Sequence, residues 1–174
     1  PGMEERTLII DGFSKSFAMT GWRLGYTVAP PRIVPALNML AVNSYTCVAE
    51  FSQYAAIEAL KDREGTTPRM VGEFAKRREQ FIRDLNRIPG FRCSQPEGAF
   101  YAWVNISDTG MSAEELCRIL LEEAGVAAIP GAAFGDAGTD FVRFSFASST
   151  ATLQEAVERI LRVSTAWQGT VATR

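Results

Sequence analysis

The sequence predicts an α/β protein, and two patterns carry that prediction. After Gly65 the segments follow the order helix, strand, strand, helix, strand, strand, helix, which is typical of a small sheet backed by helices. Before Gly65, the continuous apolar run Leu8-Ile9-Ile10 favours a strand that is covered on both faces and belongs to a larger sheet. A chain of 174 residues that is 47% hydrophobic can form one good core, or one core and part of another.

The first third of the chain is predicted to contain two strands and then two helices. Strands are expected at residues 7–11 and 23–29, because both runs are apolar and Pro30 ends the second. One helix should run from about Arg32 into the forties, and a second should occupy residues 48–61. The apolar face of that second helix is predicted to hold Phe51, Tyr54, Ala55 and Leu60.

The rest of the chain predicts three helices and four short strands. The expected helix caps are Thr67, Ser112 and Ser149. Pro68 fits the first position of the helix capped by Thr67, and that helix should end near Ile88, before Pro89-Gly90. Glu115 completes a capping box with Ser112, and the helix that they open should end at Gly125. The strands are expected at 91–94, 99–106, 126–129 and 141–147. From Thr165 onward the tail is expected to fray.

Composition excludes several function classes. The net charge is −2 with both signs interspersed, which predicts no nucleic-acid partner, and Lys76-Arg77-Arg78 is interpreted as a solvated helix face. No apolar run has the length of a membrane span, and no signal peptide is evident. Cys47, Cys93 and Cys117 are expected to be buried, reduced thiols, which predicts a cytoplasmic protein. Because the chain has no histidine, Ser-His and Cys-His nucleophiles and His-metal sites are excluded, and no metal site is predicted.

The segment from Ser14 to Tyr26, between the two first strands, holds the main candidate site. Lys15 is one of three lysines and the one set among apolar and small residues, where lost solvation would lower a pKa that is normally about 10.4. Arg23 near the end of the segment offers a permanently charged fork to an anion. Alone, Ser-Lys-Ser is also common in surface loops without chemistry. A phosphate-binding loop is rejected, because that motif needs glycine where Ser14 precedes the lysine.

The spacing of Ser14, Lys15, Gly21 and Arg23 resembles the cofactor-lysine motif of class I/II aminotransferases, fold type I enzymes that use pyridoxal phosphate. The resemblance implies that Lys15 is the Schiff-base lysine and proton carrier, and that Ser14 and Arg23 hold the cofactor phosphate. The chemistry agrees, because a phosphate favours a planar guanidinium and hydroxyl donors. The cofactor would be the electron sink, which the protein orients and tunes.

Arg143 lies in the run Val142 to Ala147, which resembles the family pattern of Arg, apolar, Ser, aromatic, Ala. The resemblance implies that Arg143 binds the α-carboxylate of the substrate, since a planar fork matches a carboxylate. Read alone, an arginine in an apolar strand is better explained by an internal ion pair. Residues 97–101 resemble the Gly-Ala-Phe-Tyr segment near the family's substrate, although a buried strand start explains them equally. Pro130-Gly131 and the following Phe-Gly pair resemble a family loop.

The resemblance extends from Thr7 to about Leu161 and implies the C-terminal portion of such an enzyme. Residues 1–64 would be a remnant of the large cofactor-binding domain, and residues 65–174 the small α/β domain. The N-terminal part that contacts the cofactor ring would be missing, so the chain alone is expected to bind the cofactor weakly and to be inactive. Its first two strands would pair with another copy, lie at a solvent edge or be disordered.

The predicted reaction is pyridoxal-phosphate-dependent transfer of an amino group between an amino acid and a 2-oxo acid. The full-length parent would be a homodimer. A fold type I carbon–sulfur β-lyase is an alternative, since it would use the same lysine and arginines but release pyruvate and ammonia without an oxo-acid acceptor. A non-catalytic domain that retains inherited motifs is the third possibility.

Overall fold

The computed structural model describes residues 1–62, 65–165 and 167, which form two compact units. The first unit is Pro1–Val71, and the second begins at Gly72. The predicted α/β class and the order of elements after Gly65 are confirmed. The helices are α1 (Val34–Tyr45), α2 (Glu50–Lys61), α3 (Thr66–Leu85), α4 (Ala113–Glu122) and α5 (Thr150–Ser164). The strands are β1 (Ile9–Gly12), β2 (Gly25–Val28), β3 (Arg92–Cys93), β4 (Tyr101–Asn105), β5 (Ile129–Pro130) and β6 (Phe141–Ser145). Within these ranges no helix is both long enough and apolar enough to cross a bilayer.

Strands β1 and β2 form an antiparallel hairpin whose register runs from Ile9 opposite Val28 to Gly12 opposite Gly25. The prediction that the first strand is covered on both faces is wrong, because Ile10 is 79% exposed. The described residues give β1 one partner strand and little cover on either face. The strands therefore pair with each other and lie exposed to solvent.

Helix α2 buries a different face from the predicted one. Phe51, Tyr54 and Leu60 are exposed, and the buried positions are Ser52 and Ala56. Ala56 belongs to the same small apolar cluster as Phe13 and Met19, with Ala55 and Ala59 partly buried beside it. The small side chains allow close contact with the loop after β1, and that contact decides which face turns inward.

The start of α3 also differs from the prediction, because Thr67 lies inside the helix rather than at its N-cap. The helix begins at Thr66, whose N–H donates to the Asp62 carboxylate at 3.0 Å. The Thr67 hydroxyl donates instead to the Ser16 carbonyl oxygen at 2.8 Å. Thr67 therefore holds the loop after β1 against the first turn of α3.

The second unit contains a four-stranded antiparallel sheet in the order β3-β4-β6-β5. Ala102 lies opposite Phe144 and Val104 opposite Val142, and all four side chains are buried. Helices α3 and α5 contribute apolar side chains to the same core, among them Leu85 of α3 and Ile160 of α5. Its fully buried large side chains include Leu85, Ile88, Leu116, Leu120, Phe146 and Ile160. The sheet thus has one face in the core and one open face.

Two of the predicted helix caps are confirmed in the second unit. The Ser112 hydroxyl accepts from the Glu115 N–H at 3.2 Å, and the Ser149 hydroxyl accepts from the Thr152 N–H at 3.1 Å. Gly125 follows α4 with φ +64°, a conformation that suits glycine. The prediction of a frayed tail is wrong for Trp167, which is buried in the core and stacks on Phe91 at 6.2 Å between ring centres. Residues 166 and 168–174 of that tail lie outside the described part of the chain.

The cysteines do not share one environment. Cys93 is buried and Cys117 half-buried, and burial raises the pKa of each thiol to about 11. Cys47 is exposed, so the prediction of burial is wrong for it, because it follows α1 in the unit that has little core.

One edge of the sheet is closed by a side chain. The Asn86 amide accepts from the Cys93 N–H at 2.8 Å and donates to the Cys93 carbonyl oxygen at 2.9 Å. It also donates to the Ile82 carbonyl oxygen in α3 at 2.9 Å. Asn86 therefore ties β3 to the end of the preceding helix.

Candidate functional site

The loop between β1 and β2 is anchored by two buried side chains, Phe13 and Met19. The Phe13 carbonyl oxygen accepts hydrogen bonds from the N–H groups of Phe17 and Met19, both at 3.3 Å. The rings of Phe13 and Phe17 lie 5.1 Å apart between centroids. Because these apolar residues turn inward, Ser14 is left half-buried and Lys15 exposed.

Lys15 lies in a tight turn, where its carbonyl oxygen accepts from the Ala18 N–H at 3.1 Å. Ala18 has φ +54°, a strained value for a residue with a side chain. The prediction that apolar neighbours desolvate Lys15 is wrong for this chain, because Lys15 is exposed while Phe13 and Met19 are buried in a small apolar cluster.

Arg23 ends the same loop and also adopts a left-handed backbone, with φ 52° and ψ 47°. Its guanidinium Nη1 donates to the Thr20 carbonyl oxygen at 3.0 Å, and the side chain is exposed. Left-handed conformations at residues other than glycine cost on the order of 1 kcal/mol each and concentrate at functional sites. The loop carries two such left-handed residues, Ala18 and Arg23, which makes it a candidate functional site.

A polar pair that sequence reasoning missed lies one register position from the loop end of the hairpin. The Tyr26 hydroxyl donates to the Asp11 carboxylate at 3.3 Å, and the negative charge of Asp11 raises the pKa of Tyr26. The two residues are register partners in the hairpin, which is the signal that could have revealed them. Gly25 is needed here, since a Cβ would lie 2.9 Å from the Asp11 carbonyl oxygen.

A groove of about 1080 Å³ runs along the hairpin, α1 and the start of α2. Its walls include Trp22, Arg23, Tyr26, Tyr45 and Phe51, and the rings of Trp22 and Phe51 meet edge to face at 6.4 Å. Ser14 and Lys15 are not among its lining residues. The structure thus brings Arg23 to the groove and keeps the lysine on the adjoining loop.

Arg143 lies in the second unit, on the open face of β6, and is half-buried. Its guanidinium carbon lies 4.2 Å from the ring centre of Tyr101 and 4.4 Å from that of Phe134. Among the described residues no carboxylate pairs with Arg143 and no acceptor receives its N–H groups, so the internal ion pair is not found. Because no described protein acceptor occupies them, the N–H donors of the guanidinium are available to an anion.

Other aromatic side chains extend this open face. The Trp103 ring stacks on Phe141 at 5.5 Å and meets Phe134 edge to face at 5.5 Å. Strand alternation could have revealed Trp103, which is the register partner of Arg143. Phe134 lies in a short 3-10 turn after β5, and no periodic pattern predicts its approach to the arginine.

Residues 97–101 lead into the same face. Ala99 has φ +59°, Phe100 packs against Phe74 at 6.0 Å, and Tyr101 contacts the Arg143 guanidinium. Tyr101 is half-buried, so the segment is more than a buried strand start. In the described part of the chain no group of three Cys, Asp or Glu side chains is arranged to hold a metal ion.

Comparison with known proteins gives a consistent set of relatives. A family model described as "Aminotransferase class I and II" matches residues 1–160. The aspartate aminotransferase of Pyrococcus abyssi is 42% identical over 164 residues, which cover 93% of this chain and 42% of that protein. The aromatic-amino-acid aminotransferase 2 of Thermococcus litoralis gives the same identity and coverage. The crystal structure of an aromatic aminotransferase from Pyrococcus horikoshii superposes with a TM-score of 0.91 at 42% identity, over 97% of this chain and 45% of that one. The chain therefore spans less than half the length of these relatives.

Proposed function

We propose a function from the premise that this chain belongs to the aminotransferase class I and II family. It contributes the cofactor lysine and the carboxylate-binding arginine to a transamination between an amino acid and a 2-oxo acid that depends on pyridoxal phosphate. The observation that carries the proposal is one anchored hairpin loop that presents Ser14, Lys15 and Arg23 at the spacing of the family motif. The first unit corresponds to part of the large cofactor-binding domain, and the second to the small domain.

The donor set of the loop fits pyridoxal phosphate. Lys15 offers a primary amine, which reacts with aldehydes, while Ser14 and Arg23 offer a hydroxyl and a guanidinium, which suit a phosphate. The Arg23 guanidinium uses Nη1 for the Thr20 carbonyl oxygen, so its other N–H groups can serve an anion. The left-handed backbone at Ala18 and Arg23 supports a functional loop, since strained residues concentrate at such sites.

Each proposed residue has a separate task. When bound, the cofactor supplies an electron sink for the substrate's α-carbon. The Lys15 amine Nζ would bind the cofactor when no substrate is present, and as a free amine it would move a proton to and from the substrate's α-carbon. Ser14 and Arg23 fix the phosphate, which orients the ring relative to Lys15. Arg143 binds the substrate carboxylate through two parallel N–H donors and sets the direction of the Cα–H bond.

The first experiment tests the cofactor site by trapping. The chain is mixed with pyridoxal phosphate, reduced with borohydride and mapped by mass spectrometry. We expect labelling of Lys15 to exceed that of the two other lysines, because the phosphate is anchored beside it. Lys61 and Lys76 are built-in controls, since each is exposed and donates to a glutamate.

Two controls separate an anchored cofactor from a merely exposed amine. Pyridoxal without its phosphate should label all three lysines alike, and Arg23→Gln should reduce the preference for Lys15 seen with pyridoxal phosphate. Equal labelling of Lys15, Lys61 and Lys76 by both reagents in the unaltered chain would contradict the proposed site.

The second experiment tests the reaction in a chimaera. This chain replaces the matching segment of the Pyrococcus abyssi aspartate aminotransferase, with which it is 42% identical over 164 residues. Arg143→Lys should lower kcat/KM for transamination by about a hundredfold, equivalent to about 2.7 kcal/mol, because a point charge cannot replace the guanidinium fork. Lys15→Ala should be inactive. Release of pyruvate and ammonia without an oxo-acid acceptor would identify the β-lyase alternative instead.

A further inference from the structure

The Arg143 guanidinium lies close to two aromatic rings and has no described protein partner for its N–H donors. Its carbon lies 4.2 Å and 4.4 Å from the ring centres of Tyr101 and Phe134, which is within the distance range of a cation–π contact. A guanidinium stacks on an aromatic ring through its flat face. A carboxylate is bound through the edge, where the N–H donors lie. Both interactions can therefore be made at the same time.

We propose that Tyr101 and Phe134 are positioning residues that hold the plane of the Arg143 guanidinium, so that its edge stays presented to a carboxylate. This inference rests on the proposed function of Arg143. The rings restrict the orientation of the guanidinium, as a buried carboxylate or carbonyl partner does for many arginines. Unlike such a partner, they neither occupy an N–H donor nor neutralise the charge. A preorganised fork binds its anion with less loss of side-chain entropy.

The backbone fixes Phe134 over the arginine. Phe134 ends the 3-10 turn Gly131–Phe134, and Gly131 lies so close to the strand that a Cβ there would be 2.7 Å from the Phe141 carbonyl oxygen. A Cβ on Gly131 would also collide with the carbonyl oxygen of Gly138. Gly131 at the start of the turn and Gly138, four residues after its end, therefore let backbone approach backbone on either side of Phe134.

Tyr101 is fixed by the sheet. It lies in β4 opposite Ser145 of β6, two positions from the Trp103 and Arg143 pair on the same face. Diagonal neighbours on an antiparallel pair are within reach of aromatic and long side chains. Its ring also contacts Phe100, at 4.6 Å between centroids, and Phe100 packs against α3 through Phe74. The two rings over the arginine are thus held by independent elements.

The experiment uses nuclear magnetic resonance on the 174-residue chain labelled with ¹⁵N-arginine. The Arg143 Nε–H resonance is identified by its loss in Arg143→Lys. In the unaltered chain we expect a ring-current shift of this resonance and a further change when acetate is added at constant ionic strength. Tyr101→Leu and Phe134→Leu should each remove part of the ring-current shift and weaken acetate binding roughly three- to tenfold.

The matched variants separate positioning from folding. Tyr101→Phe keeps the ring and should keep both the shift and the acetate affinity within about twofold. Phe141→Leu removes a ring that stacks on Trp103. In the described part of the chain the arginine makes its cation–π contacts with Tyr101 and Phe134 and not with Phe141, so this variant should leave both readouts unchanged. A loss of affinity in Phe141→Leu equal to that in Phe134→Leu would mean a general packing effect and would overturn the positioning role.

The experiment distinguishes a failure of the positioning role of Tyr101 and Phe134 from a failure of the proposed carboxylate binding by Arg143. If Tyr101→Leu and Phe134→Leu bind acetate as tightly as the unaltered chain, the positioning role is overturned whatever Arg143 does. If acetate leaves the Arg143 resonance of the unaltered chain unchanged while the ring-current shift is present, the carboxylate-binding function is overturned, and the inference that rests on it falls as well.

Discussion

Strands β4 and β6 of the second unit bury every second side chain against helices, whereas β1 and β2 of the first unit expose nearly all of theirs. Among the described residues, the buried apolar cluster of the first unit consists of Phe13, Met19 and Ala56. Its exposed large apolar side chains include Ile9, Ile10, Val28, Met39, Leu40, Val42, Tyr45, Phe51 and Tyr54. Among the described residues, secondary structure therefore forms in both units, but an extensive core forms in the second unit and a small apolar cluster in the first.

The difference between the units shows that secondary structure depends on local sequence, whereas burial depends on contacts with other segments. Turn residues, Pro and strand propensity are enough to give β1, β2, α1 and α2 their conformations. Burial needs another surface, and each Å² of apolar area taken from water contributes about 25 cal/mol. The described residues of the first unit provide little such surface. Its stability is consequently expected to be much lower than that of the second unit.

The largest expected effect is on core stability. Leu120→Ala removes a fully buried side chain of the second unit and should lower the free energy of unfolding by about 2–5 kcal/mol. Leu60→Ala in the first unit, where Leu60 is 50% exposed, should change it by less than about 0.5 kcal/mol. Urea denaturation followed by circular dichroism measures both. Leu121→Ala is the control, because Leu121 is the exposed neighbour of Leu120 on the same helix. Equal losses for Leu60 and Leu120 would show that the first unit has a core of its own.

Hydrogen exchange should separate the two sheets. Backbone amides of Ile9–Gly12 should exchange at least roughly a hundredfold faster than those of Tyr101–Asn105, because a two-stranded hairpin opens locally at little cost. Exchange followed by peptide mass spectrometry resolves the two segments. Comparable protection in both would contradict the comparison, and would mean that the first unit is covered in solution by another surface.

Alkaline pH should lower the stability of the second unit through ionisation of its buried thiols. Burial raises the pKa of Cys93 and of Cys117 to about 11, so the folded state holds these protons more tightly than the unfolded state does. The resulting stabilisation is complete below the ordinary thiol pKa of 9.0 and is lost as the pH rises toward about 11.

Unfolding free energies measured across this pH range give the test. Cys93→Ala should remove part of the loss, whereas Cys47→Ala should not, because Cys47 is exposed. An unchanged pH dependence in a Cys93→Ala, Cys117→Ala double variant would rule the thiols out as its source.

The smallest expected effect concerns the exposed pair in the first unit. Asp11→Asn removes the negative charge that raises the pKa of Tyr26, so the phenol should titrate at lower pH, closer to the ordinary value of 10.0. Ultraviolet absorbance of the phenolate reports the change, and a Tyr26→Phe variant identifies the signal. Stability should hardly move, because the pair is exposed and solvent screens it. A marked loss of stability in Asp11→Asn would reveal packing around the pair that the exposed surface does not suggest.

Much of the second unit is predictable from the sequence. Ser112 and Ser149 act as caps because their hydroxyls satisfy local N–H groups, and local chemistry is visible in a sequence. The alternation of β4 and β6 likewise predicts which side chains meet the core. The family resemblance read from Lys15 and Arg143 is confirmed at the level of family membership, by the match over residues 1–160.

The errors have a common physical origin. The exposure of Ile10 and Phe51, and the solvation of Lys15, depend on which surfaces cover them, and no local pattern encodes that. Phe134 was missed for a related reason, because its approach to Arg143 depends on a turn between two strands where glycines let backbone approach backbone. The sequence predicts the secondary structure of each segment better than the tertiary contacts that the segment makes. The roles of Ser14, Lys15, Arg23 and Arg143 stay predictions that the trapping and chimaera experiments test.

The Asn86 amide has a consequence for how the sheet of the second unit behaves in a crowded solution. It occupies the N–H and the carbonyl oxygen of Cys93, the two backbone groups that an added strand would need at that edge. At the opposite edge, Pro130 of β5 has no N–H to donate. A sheet whose outer rows are occupied or incomplete is a poor template for strand addition. The second unit is therefore protected against growth by β-aggregation, a protection that the exposed hairpin of the first unit lacks.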